Sequence, residues 1–368
     1  MTRATASLAA RLRDRIRREG PITFAAFMEA ALYDPDEGFY ARAAVGPDAD
    51  FVTSPHVSPA FGALVARQLG ECWELLGRPV PFRVVEAGAG DGTLARQIVA
   101  EAGAVPELAA ALRYRAVERS GRARASLTES GVDAHERLEE AGPAEVVVAN
   151  ELLDNLPFHR VRRRRGGLVE ILVGLAGDRF VEVEADPSPE ALEALQGAPT
   201  GGGERPASPA LLAFVRHAAR TVERGYVFLF DYGFGPGERP GEVHGYLAHR
   251  VTGDVLTDPG SRDITAAVDL GAVATEAQRL GLTAWGPVTQ RDALLGLGMR
   301  LWIQGMRRRA VEAEAREDHG ETRRLFEAIS RASMLVDEDK LGRLKLLVLG
   351  TNGLPAPAAA LGDRQTGC

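Results

Sequence analysis

The sequence predicts an α/β fold: an open, largely parallel sheet with helices on both faces. Three observations carry this. From residue 82 onward, short apolar runs alternate with helical patterns: "FRVVEAG", "YRAVE" at 114–118, "AEVVVANELL" and "GYVFLFDYG" at 225–233. Strands separated by helices need crossover connections, and these produce a parallel sheet covered on both faces. The first run ends at an acid and three glycines, Gly88, Gly90 and Gly92, which open a helical pattern. Finally, a 368-residue chain that is 45% hydrophobic is long enough for one large core or two modest ones.

The elements follow in order. Residues 1–80 read as a helical segment that caps the sheet. "TRATASLAARLRDRIRREG" is Arg-rich and amphipathic like a transit peptide, yet Asp14 and Glu19 interrupt its positive charge. Leu8, Leu12 and Ile16 repeat at helical spacing, so the favoured reading is a folded helix ending at Gly20-Pro21. Thr23 is placed to cap a second helix, whose face is Phe24, Phe27, Met28 and Ala31. "DADFVTSPHVSPAFG" is too broken for a helix, and a third helix runs from about Ala60 to Leu76. The sheet itself is expected over 81–157 and 206–290, with a last strand in "GRLKLLVLG" within 339–353. Residues 158–205 read as an inserted β-hairpin, 291–338 as a helical insertion, and 354–368 as a disordered tail. The N-terminal helices and the insertions are expected to cap the acceptor site.

Charge and cysteine content exclude several function classes. The formal net charge is -7, which argues against broad nucleic-acid binding, since phosphate contacts need surplus cations. "RVRRRR" at 160–165 reads as a solvated hairpin edge. Only Cys72 and Cys368 are present, so neither a disulfide framework nor a zinc site is expected. No apolar run approaches a membrane span, and a cytoplasmic location is expected.

The glycine turn points to a ligand. Glycine accepts positive φ and lets a ligand approach without a Cβ in the way. Ligands of open α/β sheets bind outside the carboxyl ends of the strands. A dinucleotide pattern requires G-x-G-x-x-G, but Thr93 occupies its third glycine position. The motif here is G-x-G-x-G preceded by Glu86. S-adenosylmethionine carries an amino-acid group and a sulfonium but no phosphate, so an acid ending the first strand can serve its ammonium group. A second acid, Glu118 at the end of "YRAVE", can accept hydrogen bonds from the ribose hydroxyls. The third strand ends in "ANELLDNLP", where Asn150 and Glu151 leave the strand and Asp154 follows. Asn150 is assigned to the cofactor, and Glu151 and Asp154 are the catalytic candidates. The competing reading makes Asn150 a cap and the two acids surface groups.

These motifs together resemble the MidA-like methyltransferase family, whose mitochondrial members assist assembly of respiratory complex I. "GPITFAAFMEAALYDPDEGFY" is similar to its opening, "DFVTSPHVSPAFG" to its Asp-Phe-Val-Thr-Ser-Pro segment, and "VVEAGAGDGTLA" to its glycine motif. "NELLDNLP", "DYG" at Asp231–Gly233 and "DPGSRDITAAVDL" at Asp258–Leu270 also fit. Two positions depart: His56 stands where Glu is expected, and Ala267 where His is expected. The resemblance implies a class I methyltransferase (Rossmann-like) fold, S-adenosyl-L-methionine as cofactor, and protein arginine methylation for some members. It also implies that Thr53, Ser54 and Pro55 close over the cofactor. His249 and Arg250 are placed at the substrate cleft, and His217 is read as surface or core filler. The expected partner is a protein substrate, and a homodimer is compatible with the sequence. A small-molecule acceptor, or a cofactor-binding assembly factor without turnover, are the alternative readings.

Overall fold

A computed structural model describes residues 6–42, 53–195, 203–241, 243–247 and 250–362. Its main sheet has seven strands: β1 (Phe82–Ala87), β2 (Leu112–Val117), β3 (Asp133–His135), β4 (Val146–Asn150), β5 (Tyr226–Asp231), β6 (Leu282–Thr289) and β7 (Lys345–Thr351). The spatial order is β3-β2-β1-β4-β5-β7-β6. Neighbours pair in parallel except at β7, which is antiparallel to both β5 and β6. The chain therefore leaves β1 toward one side of the sheet and returns at β4 on the other. That reversal opens a crevice at the carboxyl ends of the strands, where such sheets bind ligands.

The helices used below are α1 (Leu8–Glu19), α2 (Phe24–Tyr33), α3 (Ser54–Val57), α4 (Pro59–Leu75), α5 (Thr93–Ala102), α6 (Pro209–Thr221), α7 (Leu270–Arg279), α8 (Gln290–Gly296), α9 (Met299–Ala315), α10 (His319–Met334) and α11 (Ala358–Leu361). Side chains alternate across a strand, and this sorts the core into two layers. Val146, Val148, Phe228 and Phe230 pack with α4, α5 and α8 on one face. Val147, Ala149, Val227 and Leu229 pack with α6 and α7 on the other. No helix among the described residues is long and apolar enough to cross a membrane.

The N-terminal segment divides in two. α1 is capped by Ser7 and ends at Gly20, with Leu8, Leu12 and Ile16 buried. Thr23 caps α2 through Ala26 N. These helices pack on a second sheet, not on the main one. In contrast, α4 lies directly on the main sheet. The broken stretch before α4 contains the one-turn helix α3.

Three expectations need correction. The 158–205 insertion is more than a hairpin. Strands His159–Arg164, Gly167–Ala176, Arg179–Ala185 and Glu204–Ala207 join Ile22–Thr23 in a five-stranded sheet. The arginine-rich strand is interior to that sheet, not a solvated edge. Arg160 is buried and pairs with Glu204 and Glu182, and Arg162 pairs with Glu204 at 2.7 Å. Facing acids on neighbouring strands neutralise the run, which composition alone does not reveal. The tail also packs: Ala359 and Ala360 on α11 are buried, Gln68 Oε1 accepts from Ala359 N at 2.8 Å, and Glu71 accepts from Ala358 N. Small alanines sit close against α4 where low complexity had suggested disorder; 363–368 lie outside the described residues. The 291–338 insertion begins in α8, which packs on the main sheet, and continues as the helical pair α9 and α10, packed together at Ala310, Ala313 and Leu325.

Candidate functional site

A cavity of about 510 Å³ opens at the crevice. Its floor is the turn between β1 and α5. Gly88, Gly90 and Gly92 all have positive φ, at 74°, 55° and 78°. Carbonyl oxygen of Val117 accepts from Gly88 N at 2.8 Å and from Ala89 N at 3.1 Å, which ties the turn to β2. A Cβ on Gly88 would meet Leu152 at 2.9 Å, so this position excludes other residues on conformation and space together.

Two acids flank the turn. Glu86, at the end of β1, is 3% exposed and accepts from Tyr114 Oη at 2.8 Å. Burial pushes its carboxyl up to about 8, despite the Tyr114 bond that pulls it down. Glu118, just past β2, accepts from Gly90 N at 2.9 Å and from Ser120 N at 2.8 Å, one bond to each oxygen. Both acids line the cavity, as do Thr53, Pro55 and His56 from α3 and the residue before it.

At the end of β4, Asn150 and Glu151 reach the same wall. Asn150 Nδ2 donates to Glu151 Oε1 at 3.2 Å, while its buried Oδ1 has no protein partner. Buried polar atoms are normally satisfied, so this acceptor marks a place for a donor group. Glu151 holds φ at 51°, a conformation that costs energy away from glycine and concentrates at functional sites. Its carboxylate accepts from Ser54 N at 2.7 Å, and burial raises its pKa against that bond and the one from Asn150.

Asp154 is a correction. It is buried, but it does not line the cavity. It faces a separate void of about 20 Å³ beside Ala266 and Ala267, and its Oδ1 has no partner. Burial, then the neighbouring charges of Asp231, Asp263 and Glu151, push its carboxyl well above the usual range. The 3-10 turn Leu153–Asn155 rotates Asp154 away from the wall and brings Asn155 to it.

The second carboxylate on the wall is instead Asp263, which the sequence reading did not single out. Its Oδ1 accepts from Tyr40 Oη at 3.1 Å, Asn155 Nδ2 at 2.9 Å and Ile264 N at 3.0 Å. Burial pushes it up to about 6. Tyr33 and Tyr40 line the cavity beside it, their rings stacked with centroids 5.5 Å apart. Arg119, also on the wall, lies 4.1 Å over the Tyr33 ring and pairs with Glu29 of α2. His217 also lines the cavity and, partly exposed as the surface reading expected, pairs with Glu139 at 3.0 Å. His249 lies outside the described residues. Arg250 begins the strand Arg250–Thr252, which pairs with His244–Leu247, the neighbour of Asp263–Thr265.

The two departures from the family pattern have different surroundings. His56 meets an acid, Asp91, at 3.2 Å, so a carboxylate at 56 would face another carboxylate. Ala267 is buried at the small void with Asp154 and does not touch the cavity.

The chemistry of the floor fits S-adenosylmethionine. Glu86 and Asn150 Oδ1 are acceptors available to an ammonium group, Glu118 is fixed for hydroxyls, and Gly88 and Gly90 on the wall leave room for close approach, whereas Gly92 lies off the wall, where a Cβ would meet Leu127 at 2.6 Å.

Comparison with known proteins agrees with that fit. The chain matches the family described as "Putative S-adenosyl-L-methionine-dependent methyltransferase" over residues 64–288. It is 31% identical over 324 residues to the Drosophila melanogaster "Protein arginine methyltransferase NDUFAF7 homolog, mitochondrial", covering 77% of this chain and 73% of that one. It is 25% identical over 379 residues to the Mus musculus "Protein arginine methyltransferase NDUFAF7, mitochondrial", covering 89% and 80%. Among solved structures, it superposes with a TM-score of 0.82 on a Burkholderia thailandensis protein bound to S-adenosyl-homocysteine. That pair is 30% identical, with 97% of this chain and 95% of the other covered. The expected class I fold and cofactor are both borne out.

Proposed function

The chain belongs to this family of S-adenosyl-L-methionine-dependent methyltransferases, and on that premise we propose that its acceptor is the guanidinium of a protein arginine. One observation carries the reading: two carboxylates, the half-buried Glu151 and the buried Asp263, share a cavity wall with the stacked Tyr33 and Tyr40. Planar cations are held by carboxylates and by aromatic faces. The names of the Drosophila melanogaster and Mus musculus relatives point the same way.

When bound, the cofactor supplies an electrophilic methyl on a sulfonium. The rest falls to the protein. Glu86, Glu118 and Asn150 hold and orient the donor. A guanidinium is a poor nucleophile, because its charge is delocalised and its pKa exceeds about 12. Glu151 grips one nitrogen and localises the positive charge on the far side of the group. As the new N–C bond forms and the S–C bond breaks, one N–H proton leaves the acceptor. Glu151, whose affinity for protons burial has raised, accepts it. Asp263 and the tyrosines align the acceptor, and alignment supplies much of the rate in such transfers.

The test is incubation with methyl-labelled cofactor and a cell extract. Label in an arginine of a polypeptide, lost in Glu151→Gln, is the expected result. Label in a small-molecule fraction would overturn the protein acceptor. Cofactor binding without transfer would favour an assembly factor.

A further inference from the structure

α3 is a single helical turn, too short to hold its own position, and its placement depends on side-chain tethers. Ser54 N is bound by Glu151, and Ser54 Oγ donates to Gln290 Oε1 at 3.1 Å. Gln97 of α5 donates to the Pro55 carbonyl at 2.9 Å. The remaining tether reaches the glycine turn itself. His56 Nδ1 lies 2.8 Å from Thr53 Oγ1, and Nε2 lies 3.2 Å from Asp91 Oδ2. The other Asp91 oxygen accepts from Thr93 N at 2.9 Å, so the same carboxylate fixes both the turn and the start of α5. Burial alone would raise Asp91, but the bonds from His56 and Thr93 outweigh it and hold the carboxyl at about 2. Arg96 also lies near it, 3.9 Å away.

We infer that His56 is a positioning residue for the cofactor: by bridging Thr53 and Asp91 it latches α3 onto the glycine turn, and cofactor affinity depends on that bridge. Thr53, Pro55, His56 and Asp91 all line the cavity, so the latch forms part of the wall that must stay closed around a bound ligand. Because Ser54 N is held by Glu151, the latch also joins the cofactor floor to the acceptor carboxylate. The inference rests on the cofactor site and is independent of the acceptor's identity.

The test is calorimetric titration with S-adenosylhomocysteine, with thermal melts to verify folding. His56→Gln keeps one donor and one acceptor and is expected to bind within about threefold of wild type. His56→Leu keeps bulk but breaks both bonds, and its affinity is expected to fall roughly tenfold, as for loss of a hydrogen bond to a charged partner. His56→Glu sets a carboxylate against Asp91 and should bind more weakly still. In the double variant His56→Glu/Asp91→Arg the new carboxylate faces a guanidinium instead of a carboxylate, and much of that loss should be recovered. Wild-type affinity in His56→Leu, or strictly additive effects at 56 and 91, would overturn the latch while leaving the cofactor site intact. A wild-type chain that does not bind the ligand would overturn both.

Discussion

The two walls of the cavity are built in different ways. The cofactor floor is made of backbone: three glycines at positive φ, tied to the Val117 carbonyl and the Glu118 carboxylate. The wall proposed for the acceptor is made of side-chain charge, with Glu151 following β4, Asp263 on a separate small sheet, and Tyr33 and Tyr40 from the N-terminal segment. One wall is specified by shape and the other by carboxylates held above their usual pKa by desolvation. Damage to the floor should therefore appear in binding, and damage to the wall in turnover and in pH dependence.

The sharpest break falls on the floor. Gly90→Leu puts a side chain on the cavity surface at φ 55°, and S-adenosylhomocysteine binding should vanish in calorimetry. An unchanged affinity would mean the ligand sits elsewhere. On the wall, Glu151→Gln keeps the acceptor for Ser54 N but removes the charge. Turnover should fall by roughly tenfold to a thousandfold, as when one electrostatic catalytic group is lost, with affinity for S-adenosylhomocysteine nearly unchanged. Parallel loss of both would move Glu151 to the floor. Glu118→Ala should weaken binding by about 1–3 kcal/mol, because Gly90 N and Ser120 N lose their acceptor.

A pH series separates the walls more finely. Burial pushes the Glu86 carboxyl up to about 8, and the ammonium group of a bound ligand favours its ionised form. Affinity for S-adenosylhomocysteine should therefore rise from pH 6 to pH 8 and level off above. A flat profile would remove Glu86 from the ammonium site. The smallest effect concerns Asp154. Its folded pKa is raised, so the fold binds its proton more tightly than the unfolded chain does. Stability is then lost as pH rises above the unfolded value. Asp154→Asn should melt slightly higher than wild type at pH 8, with the gain shrinking at pH 5 and disappearing only as pH falls toward the unfolded value of 3.8. A melting point lower at both would show that the charged form is the one the fold needs.

Much of the floor can be read from the chain because it is local. Glu86, the glycines and Glu118 belong to one β-α-β unit, and the period of apolar residues fixes which strand end they occupy. Glu151 could be located for the same reason, at the end of a run of buried valines. Asp263 and the tyrosines could not be found this way, since nothing near them in sequence reports a carboxylate or a ring across the cavity. Asp154 shows the converse error: its residue type and its place after the strand end suggested a catalytic position, and one 3-10 turn redirected it. The arginine run misled because the acids that neutralise it lie on other strands.

The position of β7 has a consequence for how this molecule is made. It is the last strand of the sheet to be translated, yet it sits between β5 and β6. Until Lys345–Thr351 emerges from the ribosome, β5 and β6 each keep a row of unpaired backbone donors and acceptors. Such edges recruit other chains, and a nascent chain exposes them while synthesis proceeds. A message cut short before residue 345 would yield a polypeptide with the glycine turn and the wall carboxylates Glu151 and Asp263 but a split sheet, prone to aggregate before it could bind its cofactor.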